Sequence, residues 1–241
     1  MEAKDKLFVA LDVESGDEAL RLVTTLSAYT RRFKVGSQLF TAAGPDVVRK
    51  IVAEGAQVFL DLKFHDIPNT VAAAAAEATR LGVFMFNLHA AGGREMIVRA
   101  VESASEVAVK SGQKPPLMLG VTVLTSVDSR TLQETGIARS LEEQVLGLAR
   151  LSAEAGLNGV VASPREARLI RASIDHPGFV IVTPGIRPTE ASKDDQKRVM
   201  TPLEAIRAGA DYLVVGRPIT AASDPISAVQ QIINEIEGSF A

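Results

Sequence analysis

The chain has 241 residues, 46% of them hydrophobic and 23% charged, with 26 basic against 29 acidic side chains and a net charge of −3. That balance excludes a disordered or fibrous chain and lacks the positive excess that non-specific nucleic-acid binding needs. With no cysteine present, disulfides, thiolate metal sites and a cysteine nucleophile are excluded together.

Met1 to Lys6 is charged and leads into an apolar run of only five residues, Leu7 to Leu11. This is too short for a secretory signal, and no uncharged stretch is long enough to cross a bilayer, so the expectation is a cytoplasmic protein without a membrane partner. Short runs rich in Val, Ile, Leu and Phe then begin near Leu7, Phe33, Gln57, Val83, Leu117, Gly159, Val180 and Tyr212. They recur about every 29 residues, the size of one βαβ unit, and read as strands buried on both faces.

Helical periodicity fills most of the gaps, over Asp17 to Leu26, Pro45 to Glu54, Val71 to Leu81, Leu141 to Ala155, Pro164 to Ala172, Pro202 to Ala208 and Pro225 to Glu237. Four of these open on proline, and those ending at Glu54, Leu81 and Ala155 stop at glycine, the asymmetry expected of helix ends. Eight strands, each followed by a helix and unbroken by any linker, predict an α/β fold: one (β/α)₈ TIM barrel over residues 1–241. A doubly wound open sheet is the alternative, but the first strand-helix turn, Asp12 to Gly16, lacks the glycine-rich dinucleotide fingerprint.

In such a barrel the chemistry sits where strands end. Those ends carry Asp12, Lys34, Asp61 with Lys63, His89, Thr125, Ser163, Pro184-Gly185 and Gly216-Arg217. On the third strand, alternation places Asp61 and Lys63 on one face and Leu60 and Leu62 on the other. Asp66 follows in the loop and Lys34 lies on the neighbouring strand, so the expected array runs Lys34, Asp61, Lys63, Asp66. A lysine between two carboxylates stays protonated, which makes it a poor nucleophile but a good proton donor to a developing carbanion.

Two Gly-Arg pairs, Gly185 with Arg187 and Gly216 with Arg217, end strands seven and eight. Backbone N–H groups and guanidinium ions there predict a phosphate site. The polar stretch from Pro188 to Arg198 beside it reads either as a lid or as a solvated loop. No two of the three histidines have metal-ligand spacing; His89 is expected to hydrogen-bond at the rim and His176 to lie on the surface. The pattern therefore predicts cofactor-independent proton or carbon–carbon chemistry on a phosphorylated substrate, with no metal.

Asp61-x-Lys63-x-x-Asp66 followed by Ile67-Pro68-Asn69-Thr70-Val71, with Pro184-Gly185-Ile186-Arg187-Pro188 and Val215-Gly216-Arg217-Pro218-Ile219, resembles the orotidine 5′-phosphate decarboxylase family. The resemblance runs from the first strand to the last. It implies loss of CO₂ from orotidine 5′-monophosphate to give UMP, with no cofactor, in a homodimer that shares its active sites. It further implies Lys63 as the proton donor to C6, Asp61 against the departing carboxylate, and Lys34 bridging to the ribose. Asp12 would bind a ribose hydroxyl, Thr125 the base, and Gln196 both phosphate and base. Arg187, Gly216 and Arg217 would hold the phosphate, while Asp66 and Thr70 would reach the partner's site. Rival readings are a magnesium-dependent decarboxylase or aldolase of phosphorylated sugars, or a non-catalytic pyrimidine nucleotide-binding protein. Lys34 opposes the first by placing a cation where a metal ligand is needed, and Lys63 opposes the second.

Overall fold

The computed structural model describes residues 2–188 and 200–238. Eight parallel strands, β1 (Leu7–Ala10), β2 (Arg32–Gly36), β3 (Gln57–Phe64), β4 (Met85–His89), β5 (Leu117–Val121), β6 (Gly159–Val161), β7 (Val180–Thr183) and β8 (Tyr212–Val215), close into a barrel. Each pairs with its neighbours in sequence, and β8 returns to β1 through Val215 opposite Val9. The helices are α1 (Gly16–Leu26), α2 (Ser37–Ala43), α3 (Pro45–Ala53), α4 (Pro68–Arg80), α5 (Gly93–Ser111), α6 (Ser129–Glu134), α7 (Leu141–Glu154), α8 (Ala167–Ser173), α9 (Pro202–Arg207), α10 (Arg217–Thr220) and α11 (Pro225–Glu237).

Strand alternation divides the apolar residues into two cores. Phe8, Ala10, Phe59, Met85, Val121 and Val214 are among those filling the barrel, while Val9, Phe33, Val58, Leu60 and Phe86 face outward against the helices. Each fully buried side chain of this size contributes about 1.5–3 kcal/mol, so both faces of every strand resist a register slip. Near one end of the interior, the Arg32 guanidinium lies 5.3 Å from the Phe84 and Tyr212 ring centres and 5.9 Å from that of Phe8. Its Nε donates to Gln57 Oε1 at 2.7 Å. A charged side chain at that position is masked by cation–π contact and a hydrogen bond.

The helix starts follow local chemistry. Ser15 accepts from the Glu18 N–H at α1, and reciprocal capping boxes open α7 (Ser140 with Glu143) and α9 (Thr201 with Glu204). Proline begins α3, α4, α9 and α11. Four helices escape the periodicity reading: α2, α6, α10 and the 19-residue α5. The buried face of α5 is Met96, Ile97, Ala100, Ala104 and Ala108. The Pro164 segment also differs, opening as a 3₁₀ turn over Pro164–Glu166 before α8.

The barrel is tight where β6 meets β7. A Cβ on Gly159 would lie 2.1 Å from the Val180 carbonyl oxygen, a backbone atom tied into the ladder. Gly159→Ala is therefore expected to lower unfolding free energy by at least about 1–3 kcal/mol. Urea denaturation should show a lower midpoint with an unchanged slope.

Candidate active site

The strand ends enclose a cavity of about 510 Å³. Asp12, Lys34, Asp61 and Lys63 line it from the first three strands, and Thr125 and Ser126 from beyond β5. Gly185, Arg187, Gly216 and Arg217 line it from the ends of β7 and β8. Most of the residues read from sequence as site residues therefore converge on one space. Leu60 and Leu62 pack outward, as alternation requires of the neighbours of Asp61 and Lys63.

The charged groups form a chain of alternating sign. Lys34 Nζ donates to Asp12 Oδ1 at 2.9 Å and lies 3.4 Å from Asp61 Oδ2. Lys63 Nζ donates to the other Asp61 oxygen, Oδ1, at 2.7 Å. Burial works against both the Lys34 ammonium and the Asp61 carboxylate, yet each remains ionised because its neighbours outweigh that cost. Asp61 and Asp12 hold Lys34 above its ordinary range, and Lys34, then Lys63, hold Asp61 below the usual carboxylate range. Buried ion pairs contribute little net stability after desolvation, so this chain of charges is better understood as a site than as a fastening.

The order differs from the expected array. Asp66 is exposed and its carboxylate accepts from the Ile67 N–H at 2.6 Å, next to the start of α4. Among the described residues no ion pair joins it to Lys63. The backbone turns between them, with Lys63 in the left-handed region at φ 52°. Lys34, flanked by Asp12 and Asp61, is thus the lysine between two carboxylates, and among the described residues Lys63 pairs with Asp61 alone. Thr70, in the first turn of α4, is exposed and does not line the cavity.

Two further expectations change. Ser163 is fully buried and caps the 3₁₀ turn through the Ser163–Glu166 box, so it is a structural residue. His89 makes no side-chain hydrogen bond among the described residues; its ring lies 5.2 Å from that of His65. Burial, then His65 and Lys63, lower its proton affinity. Gln196 and most of the Pro188 to Arg198 stretch lie outside the described residues, although its flanks are joined. Arg187 N–H donates to the Met200 carbonyl at 3.0 Å, and Met200 N–H to that of Gly185 at 3.3 Å. Gly185 adopts φ 80°, a conformation that favours glycine.

Residues not anticipated from sequence are Gln38 and Ser126 on the cavity wall and Asn87 beneath the charges. Asn87 is fully buried, and it is the one amide in the apolar run Met85-Phe86-Asn87-Leu88. A polar residue on the inward face of such a strand was the available signal. Among the described residues no cluster of three or more His, Asp or Glu side chains is placed to hold a metal ion.

The carboxylate at Asp61 makes a pH signature. Its folded-state proton affinity is lowered, so its stabilising contribution is present above the unfolded value of about 3.9 and is lost as pH falls through the folded value. Unfolding free energies of the parent and Asp61→Asn should keep a constant difference above about pH 5. Below about pH 4 the parent should lose stability relative to the variant.

The sequence profile described as the Orotidine 5'-phosphate decarboxylase / HUMPS family matches residues 5–232. Orotidine 5'-phosphate decarboxylase of Syntrophotalea carbinolica is 57% identical over 240 residues, covering 100% of this chain and 98% of that protein. The enzyme of the same name from Moorella thermoacetica is 56% identical, covering 98% of this chain and 94% of its own. The crystal structure of orotidine 5'-phosphate decarboxylase from Lactobacillus acidophilus superposes with a TM-score of 0.85 at 37% identity, covering 96% of this chain and 99% of that one. Both the barrel and the sequence therefore agree, and the chain belongs to the orotidine 5'-phosphate decarboxylase / HUMPS family.

Proposed function

We propose that residues 1–241 act as one catalytic domain that decarboxylates orotidine 5′-monophosphate to UMP and CO₂, the last step of UMP synthesis, without a metal or organic cofactor. The observation that carries this reading is the Asp12–Lys34–Asp61–Lys63 chain at a cavity bordered by two Gly-Arg loops. The family relatives bear the activity in their names.

Loss of CO₂ breaks the bond to C6 and leaves its electron pair on that carbon, out of conjugation with the ring carbonyls. A preorganised ammonium opposes that charge as it develops. Lys63 then gives C6 a proton and regains one from water. Asp61, held ionised, faces the departing carboxylate. Lys34 bridges Asp61 to the ribose, and Asp12 binds a ribose hydroxyl. Thr125 contacts the base, Gln196 reaches phosphate and base, and Arg187, Gly216 and Arg217 receive the phosphate. A cytoplasmic location fits a phosphorylated nucleotide substrate, and no described helix is long and apolar enough to cross a membrane.

The outward turn of Asp66 and the exposure of Thr70 and Ile67 support a homodimer in which Asp66 and Thr70 complete the partner's site. Lys63 then acquires its second carboxylate across the interface.

Purified protein should deplete orotidine 5′-monophosphate absorbance with stoichiometric UMP, and chelation of divalent metals should leave the rate unchanged. Magnesium dependence or binding without turnover would overturn the assignment. Folded Lys63→Ala should still bind UMP but turn over many orders of magnitude more slowly, because the ammonium acts on the transition state. More than about a tenth of parental kcat, a loss below about 1.4 kcal/mol, would remove Lys63 from the proposed role.

The dimer has its own test. Mixing inactive Lys63→Ala with inactive Asp66→Ala protein, after subunit exchange has been demonstrated, should restore activity in the one site of each heterodimer that carries neither change. No recovery from verified heterodimers would assign Asp66 to its own subunit.

A further inference from the structure

The reactive segment of β3 is longer than the strand it pairs with. Leu60 pairs with Phe86 and Phe64 with Leu88, so Asp61, Leu62 and Lys63 occupy a stretch that β4 spans with Asn87 alone. Within this excursion Lys63 takes φ 52°, the one positive φ of a non-glycine residue among the described residues. Such a conformation is unfavourable for a residue with a Cβ and persists only where the surroundings impose it. The regular ladder is broken here, so the Lys63 N–H requires another acceptor.

Asn87 supplies it. Its Oδ1 accepts from the Lys63 N–H at 2.8 Å, and its Nδ2 donates to Asp61 Oδ1 at 2.7 Å. The amide cannot be reversed, because a carboxylate takes only a donor and an N–H takes only an acceptor. Asp61 Oδ1 is also the oxygen that receives Lys63 Nζ. One carboxamide therefore holds the backbone of the lysine and the carboxylate to which its ammonium is tied. The ionisable groups it touches are Asp61 and Lys63 on β3, and β5, on its other side, carries none.

We propose that Asn87 is a positioning residue: it locks the left-handed turn at Lys63 and aims the Asp61 carboxylate, and so places the Lys63 ammonium over the reacting carbon. The assignment rests on the decarboxylation proposed above. No other side chain of similar size offers both halves of the clamp at neutral pH. Aspartate lacks the donor and sets a second negative charge against Asp61, leucine orphans both partners, and serine is too short to span them.

Two variants test it against the parent protein. In folded Asn87→Ala, kcat should fall at least 30-fold while UMP affinity stays within threefold. The preference for a UMP analogue with an oxyanion at C6 over UMP itself should shrink at least tenfold, since that preference reads the ammonium's position without turnover. Asn87→Asp should be similarly impaired at pH 8 but regain at least tenfold in kcat, relative to the parent, as pH is lowered toward 5. A protonated carboxyl restores an acceptor for the Lys63 N–H and a donor for Asp61, and the shared site raises the pH at which that proton binds. If Asn87→Ala fails to fold, the pH profile of Asn87→Asp decides. A folded Asn87→Ala with kcat within threefold of the parent, parallel losses of kcat and UMP affinity, or a parental pH profile for Asn87→Asp would overturn the clamp. A parent protein inactive on orotidine 5′-monophosphate would instead overturn the function, and this inference with it.

Discussion

Two ammonium groups and two carboxylates share the mouth of a barrel whose walls are apolar, and the two most enclosed of them, Lys34 and Asp61, stay charged because their neighbours outweigh the cost of burial. Removing either member of the buried Lys34–Asp61 pair breaks it, which is costlier than the pair is favourable. The alternation Asp12, Lys34, Asp61, Lys63 sums to zero and places opposite signs in contact throughout. A closed parallel sheet suits this arrangement. Adjacent strands present successive charges at neighbouring positions, Gly36 of β2 pairing with Asp61 of β3 and Ala10 of β1 with Lys34 of β2. The layer beneath, with Phe8 and Phe59, excludes water from below.

The two lysines are not equivalent members of that set. Lys34 is nearly enclosed and gripped by two carboxylates, and a Cβ on Gly36 would come within 2.8 Å of its Nζ. It is held in place. Lys63 is more exposed, meets one carboxylate and borders the cavity. Its freedom is restricted instead through the backbone, by the left-handed turn and the bond to Asn87. Fixing the main chain while leaving part of the ammonium's coordination open is what a group that must face a ligand requires.

Much of this was legible in the residues. The eight strands could be counted because each is short, apolar and bounded by turn chemistry, and the charges could be placed because period-two alternation carries Asp61 and Lys63 to one face. Alternation says nothing about where the loop goes next, and Asp66 therefore seemed to flank Lys63. A positive φ at a lysine has no signature in composition, since the conformation is imposed by tertiary contacts rather than favoured by the residue. Asn87 had a signal, an amide inside an apolar strand, but its partners lie across the β3–β4 pairing, which only the fold supplies.

The outward turn of Asp66 bears on how the charges would serve the proposed reaction. With Asp66 absent from its own cavity, the four remaining charges cancel, and Arg187 and Arg217 add two positive charges at the β7 and β8 ends. A nucleotide phosphate matches those two cations. In the proposed complex the substrate carboxylate would enter a set that has no net charge to attract it and would lie closest to Asp61. Binding energy would therefore be concentrated at the phosphate, remote from the bond that breaks. The region around C6 would be left to interact most strongly with what forms after CO₂ departs, a carbanion facing an ammonium. A second carboxylate brought to Lys63 from a partner subunit would set a further counter-charge beside that ammonium in the closed site without adding an anion to the isolated subunit's cavity. Sharing a site between subunits would in this way separate the charge needed during turnover from the charge balance needed to fold each barrel.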